Sequence, residues 1–212
     1  MSTTSSTLPN ARDRLLDAAV NLVRRDGFAA TSIDDLCKAA GVTKGAFFHH
    51  FAGKEDLGVE VANHWREGTG RLFAEAAYHR HRDPLARILA YLDFRKALVQ
   101  GGLPDLTCLV GTLVQEVYDS HPRIRDACDA SISGHATTLV ADIEAAMKTH
   151  KPLPGWTAES LALHTQVVLQ GAFVVAKARN DTRVVIDAVD HLKRYVRSLF
   201  RPRKKKAARH VA

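Results

Sequence analysis

Apolar residues recur at three- and four-residue spacing along nearly the whole chain, and no stretch alternates apolar with polar long enough to make a strand. The expected class is therefore all-α. Leu15, Leu16, Ala19, Leu22 and Val23 lie on one stripe of a first amphipathic helix. Asn10 is placed to cap its start, and Gly27 to end it with a left-handed residue. A short second helix is expected from Ser32 to Ala40, with Ile33, Leu36, Cys37 and Ala40 on one face. Thr31 and Ser32 are both N-capping types, and Asp34 and Asp35, three residues beyond each, suit the positive end of a helix dipole. A third short helix is expected from about Thr43 to His50. Beyond Gly53 the helices lengthen, to about 54–80, 84–100, 105–119, 122–150, 157–180 and 182–200. Pro84, Pro104, Pro122, Pro152, Pro154 and Pro202 all fall at these proposed breaks, where a missing N–H is tolerated.

The segment from Thr31 to Phe51 reads as helix, three-residue turn, helix. Leu36, Ala40, Val42 and Phe47 are spaced to close a small core, and Cys37 stands where the two helices approach and only a small side chain fits. Gly41 would take the positive φ that turns the chain. Thr43 would then cap a second helix presenting Lys44, Gly45, Ala46, Phe48, His49 and His50. In a helix-turn-helix, the N-terminal residues of that second helix reach base edges in the major groove.

Charge adds less than the net +7 suggests. Residues 1–55 carry seven Lys/Arg against six Asp/Glu, whereas Arg201 to Arg209 carries six basic residues alone. That tail reads either as a solvated, disordered end or as a source of sequence-independent phosphate attraction. The domain plan is thus a disordered stretch 1–9, a DNA-binding unit 10–53, a helical unit 54–200 and a basic disordered tail 201–212.

The stretches ARDRLLDAAVNLVRRDGF and TSIDDLCKAAGVTKGAFFHHFAGKEDL closely resemble the DNA-binding signature of the TetR family of transcriptional regulators over some fifty contiguous positions. The resemblance implies a dimeric repressor with an N-terminal DNA-binding domain and a C-terminal helical domain for ligand binding and dimerisation. Carried onto matching positions, it puts Thr43, Lys44, Gly45, Ala46 and His49 near bases or adjacent phosphates, and Thr31, Phe48, His50 and Lys54 against the DNA backbone. One departure stands out: the family usually has tyrosine where this chain has Phe48, so a phosphate contact through the hydroxyl is lost or replaced. Phe47 and Phe51 are read as core.

In the C-terminal half, Leu161, His164, Val167, Val168, Gly171, Val174 and Val175 form one helical repeat, and Val185, Val189, Leu192, Val196 and Leu199 another. Each residue taken singly fits an intramolecular core. Together, the helices at about 157–180 and 182–200 fit a four-helix bundle between two subunits, and hence a homodimer on palindromic double-stranded operator DNA. Trp65, Phe73, Tyr91, Phe94, Cys108, Thr112, Gln115, Trp156 and Phe173 are candidate walls of an effector pocket, though the same types build any core. Thr107 to Glu116 is similar to a segment of a TetR branch that includes sensors of electrophiles and oxidants, which implies a reactive thiol at Cys108. Cys108 would lie in the first turn of its helix with no basic neighbour evident in sequence.

Other chemistry is excluded or weak. No phosphate-cradling glycine motif, nucleophile elbow or metalloprotease helix occurs, no cofactor is implied, and His79-Arg-His81 lacks further ligands for zinc. An enzyme lacks a nucleophile, base and orienter; the remaining alternative is a constitutive or architectural DNA-binding dimer without a pocket. The apolar run Leu161 to Ala178 is interrupted by His164, Thr165, Gln166, Gln170 and Lys177, which favours a buried helix over a membrane span. Three widely spaced cysteines (Cys37, Cys108, Cys128) and a polar N-terminal stretch without an apolar region point to a reducing cytoplasm.

Overall fold

Local capping sets the first three helices. In the computed structural model, which describes residues 10–103 and 107–200, α1 (Ala11–Asp26) begins where the Asn10 side chain accepts from Asp13 N. It ends at Gly27, φ 91°. Helix α2 (Ile33–Ala40) starts in a full capping box between Ser32 and Asp35, and Gly41 closes it at φ 63°, ψ 42°. Helix α3 (Lys44–His50) starts at Thr43, whose Oγ1 accepts from Ala46 N at 3.2 Å. All of these caps except Thr31 agree with the sequence reading.

The remaining described helices are α4 (Lys54–Ala74), α5 (Pro84–Ala97), α6 (Leu109–Val117), α7 (Pro122–Thr137), α8 (Val140–Thr149), α9 (Ala158–Arg179) and α10 (Arg183–Ser198). Apart from an isolated bridge between Pro152 and Phe200, the described residues form no strand pairing. Two boundaries differ from expectation. The helix expected over 54–80 stops at Ala74 and resumes as a 3-10 turn at Ala77–Arg80. The helix expected over 122–150 is two, broken after Thr137 without proline or glycine. There the Thr137 and Thr138 hydroxyls donate to the carbonyls of Ser133 and His135, a back-bonding that bends helices.

The core has two principal parts. One joins Leu15, Leu16, Leu36, Phe47 and Phe51 of the N-terminal helices to Leu57 and Val61 of α4, Leu109 and Leu113 of α6, and Ile124 and Cys128 of α7. The N-terminal unit therefore has no separate core, and the break expected at residue 53 is continuous apolar packing. Gly58 permits this, because a Cβ there would stand 2.6 Å from Ile124 Cδ1. The other cluster joins Tyr91 and Leu92 of α5 to Ile143, Leu169, Val189, Leu192 and Val196. Val185, Val189, Leu192, Val196 and Leu199, expected at a subunit interface, are buried within their own chain, because α10 packs on α5 and α9. On α9 Leu161 is buried likewise, whereas Leu163, Val167, Val174 and Val175 remain exposed. The tail 201–212 and the stretch 1–9 lie outside the described residues.

Candidate functional site

Helix α3 presents a small exposed surface. Phe47 is fully buried and Phe51 nearly so, as expected, which turns Lys44, Gly45, Phe48 and His49 outward, with Ala46 and His50 half-buried. Phe48 is 55% exposed, an unusual exposure for a ring that could have packed inward. The Lys44 ammonium pairs with Asp34 of α2 at 2.8 Å, which raises its pKa through the hydrogen bond and the opposite charge. The His49 and His50 rings meet edge to face at 4.9 Å.

Two residues expected at the DNA backbone are turned into the protein. Thr31 is buried at 3% exposure, and its hydroxyl donates to the Gly27 carbonyl at 2.7 Å. It braces the turn between α1 and α2, while the cap of α2 is supplied by Ser32. Lys54 folds its ammonium over the Phe28 ring, 4.6 Å from the centroid, and donates to the Ala29 carbonyl at 3.2 Å. Burial lowers the Lys54 pKa.

A cavity of about 220 Å³ lies behind this unit, bounded by α4, α5, α6, α7 and α9. Trp65, Phe73, Cys108 and Phe173 line it, as expected of pocket walls. A second cavity of about 250 Å³ adjoins it along α6 and α9; Cys108 and Phe173 border both, and Thr112 and Gln115 line the second. Tyr91, Phe94 and Trp156 do not line either. Tyr91 is 1% exposed and backs the wall through its hydroxyl, Phe94 stacks on Phe73 at 5.2 Å, and Trp156 packs against Phe200 at 5.5 Å near the end of α10.

Apart from Cys108, the polar lining of the first cavity was not anticipated. Arg95 lies over the Phe73 ring at 4.8 Å; its Nε donates to Tyr91 Oη at 3.1 Å and its Nη2 to Gln166 Oε1 at 3.0 Å. The Tyr91 hydroxyl also meets His135 Nε2 at 3.0 Å. Burial, reinforced by the Arg95 charge, pushes the His135 imidazole down to about 3, which favours the uncharged ring beside the tyrosine hydroxyl. Arg24, from α1, reaches the same cavity, stacks over Trp65 at 5.1 Å and donates from Nε to the Thr107 carbonyl at 2.9 Å. No sequence signal marks Arg24 or Arg95, since an arginine on an amphipathic helix reads as surface.

Helix α6 links cavity and N-terminal unit. Cys108, its N-cap residue, is at the cavities. Near its other end, Glu116 accepts from Phe28 N at 3.0 Å and Ala29 N at 2.9 Å. The basic neighbour missing from the sequence around Cys108 is Lys177 of α9, which borders the second cavity and donates to Thr112 Oγ1 at 2.9 Å. Cys128 is buried, and its thiol is pushed up to about 12.

Comparison with known proteins adds the following. The family described as "Bacterial regulatory proteins, tetR family" matches residues 15–61, and "Tetracyclin repressor-like, C-terminal domain" matches residues 84–192. The repressor NemR of Escherichia coli is 30% identical over 148 residues, covering 66% of this chain and 71% of NemR. The transcriptional regulator AcuR of Cereibacter sphaeroides is 30% identical over 108 residues, covering 50% of this chain and 49% of AcuR, so the match spans about half of that relative. The crystal structure of reduced E. coli NemR superposes with a TM-score of 0.76 at 24% identity, over 92% of this chain and all of the other. A regulator from Saccharomonospora viridis, solved with choline, gives 0.74 at 22% identity over 91% and 98%. These superpositions agree with an all-helical fold carrying an N-terminal helix-turn-helix.

Proposed function

Because the chain belongs to the TetR family of bacterial regulatory proteins, we propose that it is a cytoplasmic repressor that grips a palindromic operator as a homodimer and releases it when a small molecule fills the cavity. The family consists of DNA-binding transcriptional regulators rather than enzymes, and its members bind operator DNA, typically as dimers. The observation that carries the release reading is Arg24: a side chain of the DNA-binding unit forms part of the cavity wall. A ligand there meets the head directly, and through α6 it meets the Glu116 clamp on Phe28 and Ala29. Coupling of this kind needs two sites whose occupants prefer different arrangements of one connected element. Helix α4, which runs from Lys54 past Trp65 and Phe73, is the second connection.

For DNA, the reading assigns Thr43, Lys44, Gly45, Ala46 and His49 to base edges and neighbouring phosphates, and Phe48, His50 and Lys54 to the backbone. Lys54 must then release the Ala29 carbonyl on binding. Thr31 is dropped from the set, its hydroxyl being committed to Gly27. Phe48, exposed and without a hydroxyl, lies against the backbone in this reading but offers no hydrogen bond there. For the dimer, the exposed stripe Leu163, Val167, Val174 and Val175 of α9 supports an interface, with Gly171 allowing close approach. The buried stripe of α10 contributes only by holding that helix in place, and its outward residues, His191 and Tyr195, flank the seam.

The test is a mobility shift on DNA upstream of the chain's own gene, at fixed salt with excess competitor. A competitor-resistant band of dimer stoichiometry is expected. His49→Ala should weaken it about tenfold, the discrimination typical of one good base contact, and Lys44→Ala should lower the salt slope by about 0.9. Unchanged affinity and slope in both variants would remove the assignment. Cys108, half-buried between the cavities with Lys177 near, supports a second, covalent route of release. If Cys108→Ser leaves release by quinones or hypochlorite intact, that route is wrong.

A further inference from the structure

The first cavity is lined by two guanidiniums, Arg24 and Arg95, and the partners of Arg95 carry no negative charge. Among the described residues that line it there is no aspartate or glutamate, and Arg95 forms no ion pair. Its partners are neutral: the Tyr91 hydroxyl, the Gln166 amide oxygen and two ring faces. A guanidinium has five N–H donors in a planar fork, and two bonds leave the fork unfilled. Arg95 is half-buried, and a guanidinium partly withdrawn from water is favoured by an anion that fills the rest of its fork. A second, independent vacancy lies on the same wall. Thr107 is 1% exposed, it lines the cavity, and its hydroxyl has no hydrogen-bond partner. Buried hydroxyls are nearly always bonded, so this one is placed for a group that enters.

We infer that the cavity takes a monocarboxylate with a compact apolar body, its carboxylate on Arg95, its body between Trp65, Leu72, Phe73 and Phe173, and the Thr107 hydroxyl supplying a further polar contact. The inference rests on the reading of this cavity as the effector site and adds the chemical class. Size fits as well. An apolar cavity of about 150 Å³ accommodates benzene, so about 220 Å³ accommodates roughly nine non-hydrogen atoms, the size of benzoate. The low pKa of His135 is in keeping with this site, since the ring adds no further positive charge and meets the Tyr91 hydroxyl behind Arg95. A primary amine of the same size would bring a second cation against Arg95, and an amide would leave the guanidinium uncompensated.

Isothermal titration of the full-length protein with benzoate and hexanoate, against benzamide, hexanamide and benzylamine, decides the matter. The carboxylates should bind at least tenfold more tightly than their amides, and benzylamine should not bind. Arg95→Gln should bring the carboxylate-to-amide ratio close to one, Arg95→Lys should keep part of it, and Thr107→Val should weaken benzoate severalfold. Folding of each variant is checked by circular dichroism, and if Arg95→Gln does not fold, the wild-type series decides alone. Equal or tighter binding of amide or amine, no binding of either carboxylate, or a preference that survives in folded Arg95→Gln would overturn the proposal. Operator affinity is followed in parallel. Release by benzamide or benzylamine without carboxylate binding sinks the anionic class and leaves the regulator reading standing. Carboxylate binding that leaves the operator complex intact keeps the site and sinks release.

Discussion

Replacing Glu116 with glutamine keeps the side chain's length and removes the charge shared by two backbone amides. Its carboxylate accepts from Phe28 N at 3.0 Å and from Ala29 N at 2.9 Å, tying α6 to the turn between α1 and α2. Glutamine can offer one oxygen to one amide and must turn an NH2 toward the other. A hydrogen bond to a charged group contributes about 1.5–3 kcal/mol and a neutral one about 1 kcal/mol. Phe28 is buried while Ala29 and Glu116 are exposed, so water makes good part of the loss and the lower end applies. The expected cost is about 1–2 kcal/mol, or roughly 4 °C in Tm for a chain of this length. Urea unfolding at fixed protein concentration measures it, since a dimer's apparent stability depends on concentration. A change below about 0.3 kcal/mol would refute the clamp as a stabilising element. A linked check uses Gly27, where φ is 91° and an added Cβ would stand 2.8 Å from Glu116 Oε1. Gly27→Ala should be less harmful in a Glu116→Ala background than alone, because the steric part of its cost disappears and only the backbone part remains.

Four further outcomes are expected. Phe48→Tyr should tighten operator binding severalfold by supplying a phosphate hydrogen bond, read by mobility shift; equal affinity would mean the ring's tip does not face the backbone. Asp34→Asn removes the carboxylate that holds Lys44 at 2.8 Å, so the slope of log affinity against log salt should steepen by up to about 0.9. Cys108 should be alkylated by N-ethylmaleimide before the buried Cys37 and Cys128, as mapped by mass spectrometry, and a cavity ligand should slow it. His135 gives a pH dependence of known sign. Its folded pKa of about 3 lies below the ordinary 6.5, so the unfolded chain binds the proton first, and stability present above pH 6.5 is lost as pH falls toward 3. Between pH 6.5 and 5 the loss is about 2 kcal/mol at about 1.4 kcal/mol per unit, and His135→Gln should flatten that slope.

The N-terminal unit was readable because its signals are local. Asn10, Ser32 with Asp35, Gly41 and Thr43 each act within four residues of where they stand. The first cavity was readable only in its aromatic walls and Cys108. Arg24, Arg95 and Gln166 come from three distant helices, and each polar side chain on its own reads as solvent-facing. The stripe of α10 was legible as a helix face but not as to which surface it covers, since a subunit interface and a core use the same residue types. Its burial against α5 and α9 leaves the outer face of α9 as the exposed apolar stripe on which the proposed interface rests. The break between α7 and α8 was invisible because it depends on threonine hydroxyls turning back on carbonyls, an effect with no compositional mark.

The continuity of one apolar cluster from Leu15 through Leu113 to Cys128 bears on how this protein can be rearranged by genetic means. A fragment ending near residue 53 would leave Leu15, Leu16 and Phe51 without the faces of α4, α6 and α7 that cover them. Such a fragment should be recovered insoluble or unfolded, even though it contains every residue proposed to face DNA except Lys54. Chimeras that fuse this reading unit to a foreign sensor must bring a matching wall with it, including a partner for Gly58 and an acid for the amides of Phe28 and Ala29. The unit of exchange in this chain is the whole subunit rather than its first fifty residues.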